Sequence, residues 1–150
     1  MISNACKIET ITDLAKIEQV LLLFDNSFPR PLSKRVGSLR DYARKLAENA
    51  VVNIISLEDK IVGFAAYYCN DMVTKQAFIT QLAVDDTYKK LRLGSVLMEL
   101  CINTSKQKGM EKLISEVDDT NVAIIKFHEK FGFTFLKKAS DSSHFLAKKL

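Results

Sequence analysis

Two periods run through the hydrophobic and polar positions of this 150-residue chain, one of two residues and one of about 3.6. Residues 7–11 read as a first strand. Leu14, Ile17, Leu21 and Phe24 then recur at helical spacing, which predicts a helix with Thr12 as N-cap, Asp13 in its first turn and an end near residue 25. The stretch NSFPRPLS at 26–33 holds both prolines of the chain and reads as a loop, because each holds the preceding residue extended. A helical turn begins at Ser33, with Gly37 as its weak point. Ser38-Leu39-Arg40-Asp41 has capping-box spacing, and Leu39, Tyr42, Ala43, Leu46 and Ala47 carry the next helix to about residue 49. Residues 51–57 and 61–69 form a hairpin around Glu58-Asp59-Lys60. Gly63 marks a bulge or a close backbone approach.

The long third strand ends in the apolar run Phe78, Ile79, Leu82, Ala83, Val84, broken by Asp85 and Asp86. A helix follows, with Leu93, Val96, Leu97, Leu100 and Cys101 on one face. Between strand and helix lies the basic turn Lys89-Lys90-Leu91-Arg92-Leu93-Gly94. A helix start has unpaired N–H groups and a positive dipole end, so this turn predicts an anion site of the kind that takes a phosphate or pyrophosphate. Lys106 to Gly109 ends the helix. Residues 112–117 are a strand, and a parallel crossover from the third strand is the economical topology. Asn121 is among several caps for a helix that runs to about residue 131 and stops at Gly132. Residues 133–136 are a strand, 137–142 a turn and 143–148 the last strand.

The expected fold is therefore mixed α/β, one domain over residues 1–150, a meander followed by a crossover. Net charge is 22 − 18 = +4, which suits an acidic ligand such as a nucleotide cofactor and does not separate it from nucleic acid. No nucleic-acid partner is expected, since Lys89, Lys90 and Arg92 come without a recognition helix or an aromatic stacking surface. Cys6, Cys69 and Cys101 form no CxxC pair, so no metal site or disulfide framework is expected and a cytoplasmic location is. The first residues lack a basic-then-apolar leader pattern, and the longest apolar run, 20–24, is too short to span a membrane.

Two motifs in strand–helix context resemble those of the GNAT superfamily of acyl-CoA-dependent N-acyltransferases, over nearly the whole chain. One is the pyrophosphate loop, Q/R-x-x-G-x-G/A in the family and Lys89-Lys90-Leu91-Arg92-Leu93-Gly94 here. The other is the later N-x-x-A helix ending in Y-x-K-x-G-F, matched from Asn121 through Phe127-His128-Glu129-Lys130-Phe131-Gly132-Phe133. The resemblance implies a central, mostly antiparallel mixed sheet of six to seven strands with about four helices, and splayed strands that form the cofactor cleft. It implies acetyl-CoA as cofactor, held by Leu82, Ala83, Val84, Lys89, Lys90, Arg92, Leu93, Gly94, Ser95, Asn121, Phe127 and Lys130. Arg92 stands where the loop has its first glycine. It keeps the loop if its backbone stays in an ordinary region with its N–H available; otherwise it is a solvated charge on a degraded loop.

His128 stands where the family has a tyrosine near the cofactor sulfur. The resemblance gives it the protonation of the leaving thiolate, against the alternative of a neutral hydrogen-bonding residue. Glu116 is the candidate base, against a structural role or a water chain. Phe28, Arg30, Tyr42, Tyr67, Thr80 and Gln81 are the candidates for contact with the acceptor. The implied activity is acetyl transfer to a primary amine of a small molecule or peptide, with an acyl-CoA-binding sensor as the alternative and a homodimer as a possible assembly.

Overall fold

The computed structural model describes residues 6–28 and 30–150. Strand β1 (Cys6–Ile11) leads to helix α1 (Leu14–Leu23), a 3-10 turn (Asp25–Ser27), and helices α2 (Leu32–Val36) and α3 (Leu39–Asn49). Strands β2 (Val51–Leu57), β3 (Lys60–Tyr68) and β4 (Gln76–Val84) follow, then a 3-10 helix (Asp86–Leu91) and helix α4 (Leu93–Gln107). Strand β5 (Lys112–Asp118), helix α5 (Val122–Lys130) and strands β6 (Thr134–Ser140) and β7 (Ser143–Lys149) complete the chain. The strands form a seven-stranded sheet in the order β1-β2-β3-β4-β5-β7-β6. This is the expected mixed, mostly antiparallel α/β architecture. The backbone divides into two compact units, one holding the chain up to Tyr67 with Gln81–Cys101, the other Tyr68–Thr80 with Ile102–Leu150.

In the first unit, Asp13 rather than Thr12 caps α1: its carboxylate accepts from Lys16 N at 2.9 Å. Ser38 caps α3 as its spacing predicts, accepting from Asp41 N at 3.2 Å. The apolar stripes of α1 and α3 bury Ile17, Val20, Leu21, Ala43 and Leu46, and the two helices pack on each other. Phe24 closes on Phe64 of β3, ring centroids 5.1 Å apart. Each Ile, Val, Leu or Phe side chain among them taken fully out of water contributes about 1.5–3 kcal/mol. Asn53 ties three strands together, donating to Thr10 Oγ1 at 2.9 Å and accepting from Tyr67 Oη at 2.6 Å. Gly63 is both bulge and close approach. The β2–β3 register shifts between Ile55 and Ser56, and a Cβ on Gly63 would lie 3.3 Å from the Ala83 carbonyl oxygen and from Leu97 Cδ1.

In the second unit, β4 pairs parallel with β5, from Gln76 opposite Lys112 to Ile79 opposite Ser115, which establishes the predicted crossover. β5 pairs antiparallel with β7 along its whole length. β6 runs on through 137–140, where the pattern predicted a turn. Its side chains are nearly all exposed, so no buried face imposes an alternation on the sequence; backbone pairing with β7, through two bulges, makes the strand.

Candidate active site

The first unit builds the turn between β4 and α4. Asp85 N–H donates to the Val62 carbonyl at 2.8 Å, and its carboxylate accepts from Thr87 N at 2.9 Å. These bonds anchor the 3-10 helix to β3. Lys60 Nζ lies 3.9 Å from the Asp85 carboxylate and 5.3 Å from the Tyr88 ring centre. Arg92 ends the turn at φ 58°, ψ 31°. The ordinary backbone on which keeping the loop depends is not found; the left-handed Arg92 makes the reversal that the family's glycine would make there. The chain reverses from the 3-10 helix into α4 at this point, and Arg92 takes the left-handed conformation that a glycine adopts without strain. Its N–H is directed at the Lys89 carbonyl at 3.4 Å.

Beyond it, Leu93, Gly94 and Ser95 open α4, whose ladder is joined to the turn by Val96 N on the Arg92 carbonyl at 3.3 Å; the first N–H groups of a helix have no partner within it. Lys89 pairs with Asp86 at 2.8 Å across an exposed surface; Lys90 and Arg92 are exposed. Open N–H groups at the positive end of a 15-residue helix, with basic side chains beside them, are a donor set for a phosphate anion. On β4, Ala83 is buried, and Leu82 and Val84 are half-buried on the other face.

The same unit holds a polar network. Gln81 on β4 is 6% exposed. Its Nε2 donates to Tyr42 Oη at 3.0 Å, and its Oε1 accepts from Arg35 Nη2 at 3.3 Å. The Arg35 guanidinium lies 5.2 Å from the Phe28 ring centre. Three of the sequence-predicted acceptor residues, Phe28, Tyr42 and Gln81, thus come together through a residue the sequence did not single out. Arg30 stays apart, donating to the Lys34 carbonyl at 3.3 Å. Tyr67 is wholly buried, its hydroxyl engaged by Asn53.

In the second unit, Asn121 caps α5, accepting from Ile124 N at 3.1 Å. Phe127 is half-buried and edge-on to Phe131, and Lys130 is exposed. His128 is buried. Its Nδ1 lies 2.8 Å from the Ile124 carbonyl oxygen and its Nε2 2.9 Å from Ser115 Oγ. Burial pushes the imidazole below its ordinary pKa, opposed by the bond to the Ile124 carbonyl. Glu116 is exposed and accepts from Ser143 Oγ at 2.6 Å. Neighbouring Ser115 is buried, so on β5 the two side chains face opposite ways, and Glu116 and His128 are not brought together. Thr80 is half-buried on β4. Ser115, like Arg35, was not singled out from the sequence. The available signal was its place among buried Leu113 and Val117 on one strand face.

A family model described as the Acetyltransferase (GNAT) family matches residues 14–133, and the chain belongs to that family. The [Ribosomal protein bS18]-alanine N-acetyltransferase of Escherichia coli K12 is 33% identical over 69 residues, which are 46% of this chain and 47% of that protein. The match thus spans about half the length of that curated relative. The crystal structure of the E. coli ribosomal-protein-S18-alanine N-acetyltransferase superposes with a TM-score of 0.78 at 20% identity, covering 96% of this chain and 93% of that one. PaiA N-acetyltransferase from Thermoplasma acidophilum, crystallised with coenzyme A, also gives 0.78, at 14% identity over 97% and 99% of the two chains. These likenesses establish the fold. No helix among the described residues is long and apolar enough to cross a membrane.

Proposed function

We propose that this chain is an N-acetyltransferase that moves an acetyl group from acetyl-CoA to a primary amine of a small molecule or peptide by direct attack. The observation that carries the reading is the turn after β4, where Leu93, Gly94 and Ser95 form the N-terminal turn of α4 beside exposed Lys90 and Arg92. When bound, acetyl-CoA supplies the acetyl group activated as a thioester. Leu93, Gly94 and Ser95 hold its pyrophosphate, with charge from Lys89, Lys90 and Arg92, and the backbone of Leu82, Ala83 and Val84 orients its arm. Orientation is the chief contribution of these residues. The resemblance also assigns Asn121, Phe127 and Lys130, in the second unit, to the cofactor. His128, neutral and engaged at both nitrogens, is read as a positioning residue for Ser115 rather than as a donor to the thiolate. The protein-derived names of several relatives support a peptide amine as one acceptor class. Cys6, Cys69 and Cys101 are not disulfide-bonded, which fits a cytoplasmic enzyme.

The test is a thermal melt with acetyl-CoA, coenzyme A or ATP, followed by thiol release with a panel of amines. A ligand at 100 times its Kd stabilises by about 2.7 kcal/mol, a shift of about 5 °C or more for this size of domain. A shift with both CoA species but not ATP, together with turnover, is the expected result. Burial, which lowers the His128 pKa, favours one second reading, an acyl-CoA-binding sensor, which predicts the melting shift without any thiol release.

A further inference from the structure

The Gln81 network has an unspent capacity. Arg35 sits on α2 with its guanidinium over the Phe28 ring, 5.2 Å from the centroid, and donating to Gln81 Oε1 at 3.3 Å. Gln81 is itself fixed, buried on β4 with its other amide atom on Tyr42 Oη. One of the five guanidinium N–H donors is used by Gln81. The side chain is exposed, and among the described residues no carboxylate lies within ion-pair distance of it. Lys34 beside it on α2 and Arg30 just before the helix are also cationic. The acid close by in this segment, Asp25, is occupied by Ser33, whose N–H and hydroxyl both donate to it at 2.7 and 2.8 Å. Those bonds hold the Asp25 carboxyl below its ordinary range, so it stays a charged anchor of the loop.

A planar fork already held by a ring contact and a hydrogen bond loses less freedom when it meets a planar carboxylate, and it can bind both oxygens at once. We propose that Arg35 is a specificity-determining residue that receives a carboxylate of the acceptor, so the preferred acceptors are amines that carry an acidic group. The inference rests on the acetyl-transfer reading and deepens it. Phe28 and Gln81 act as positioning residues for the guanidinium, and Tyr42 acts through Gln81.

The chemistry has two sources, an acidic side chain near a peptide N-terminus or the carboxylate of a free amino acid. The experiment compares kcat/KM for short peptides that begin with alanine and carry glutamate, glutamine or lysine at the second position, and for free glutamate. The wild-type protein is expected to favour glutamate over glutamine about tenfold, the size of one charge-assisted hydrogen bond. Higher turnover of the peptide than of free glutamate assigns the peptide source, and the reverse assigns the amino acid. In Arg35→Gln the glutamate-to-glutamine ratio falls toward one, and in Arg35→Glu the lysine peptide overtakes the glutamate peptide. The acetyl-CoA melting shift of each variant checks that the fold and the proposed cofactor turn survive. A wild-type ratio within twofold of one, or a ratio kept by Arg35→Gln, overturns the proposal while leaving acetyl transfer intact. A melting shift without turnover of any amine overturns the transferase reading itself, and this proposal with it.

Discussion

Ser115 Oγ and His128 Nε2 are 2.9 Å apart, and both side chains are buried. The other ring nitrogen faces the Ile124 carbonyl at 2.8 Å. A carbonyl only accepts, so Nδ1 carries its proton, and in the neutral ring Nε2 accepts from the serine hydroxyl. Burial lowers the His128 pKa in the folded protein. The unfolded chain therefore takes up a proton at a pH where the folded protein does not. The stability that His128 contributes as a neutral group is present in full above the unfolded value near ~6.5 and is lost as the pH falls through and below it. Melts of the wild type from pH 8 to pH 5 should show Tm falling over this window. His128→Gln should lose that part of the slope; an unchanged slope would mean that other groups carry it.

The same contact sets an energetic coupling. Ser115→Ala leaves a buried ring nitrogen without its donor, which costs about 1–3 kcal/mol. His128→Ala removes the partner and opens a cavity beside Phe133, whose ring centroid lies 5.0 Å from that of His128. In contact, the two changes are not additive, and a double-mutant cycle should give a coupling of roughly 0.5–3 kcal/mol by chemical denaturation. A coupling near zero would mean the hydroxyl and the imidazole do not share a bond in solution.

Arg92 at φ 58° carries a conformation that disfavours any residue with a Cβ. Arg92→Gly should relieve that strain, offset in part by the greater backbone freedom of glycine in the unfolded chain. The net expectation is a free protein more stable by roughly 0.5–1 kcal/mol. If the guanidinium also contacts the cofactor phosphate, the affinity for coenzyme A falls several-fold in the same variant. Denaturant melts and calorimetric titration separate the two effects, and a variant that loses stability would contradict the strain argument.

The elements with one buried face were legible in the sequence. α3 was readable from Ser38 to Asn49 because Ala43 and Leu46 face the core while charged residues cover the other side. β6 past Leu136 was not, because its side chains are exposed on both faces and only backbone pairing makes the strand. The basic turn was visible as chemistry, but the left-handed backbone at Arg92 was not, since an arginine does not announce a conformation it disfavours. Arg35 was missed for a different reason. Its partner Gln81 is 46 positions away in the chain, and α2 is too short to show a periodicity that would place the guanidinium. Phe28, Tyr42 and Gln81 were within reach because the resemblance pointed to the region; their common contact was a product of the fold.

Gly63 joins the sheet to the proposed cofactor turn. A Cβ there would stand 3.3 Å from the Ala83 carbonyl oxygen and from Leu97 Cδ1. Ala83 lies in the strand that leads into the turn, and Leu97 lies in the helix that leaves it. An added side chain therefore presses on both flanks of the loop while touching none of its N–H groups. Gly63→Val should destabilise by about 1–3 kcal/mol, the usual cost of overpacking, and should also weaken coenzyme A binding because Ala83 and Leu97 must shift. Gly63→Ala should show a smaller form of both effects, since a few tenths of an ångström of movement accommodate one methyl group. Chemical denaturation and calorimetric titration of the two variants give the comparison. A loss of stability with unchanged affinity for coenzyme A would show that the turn is insulated from the sheet behind it.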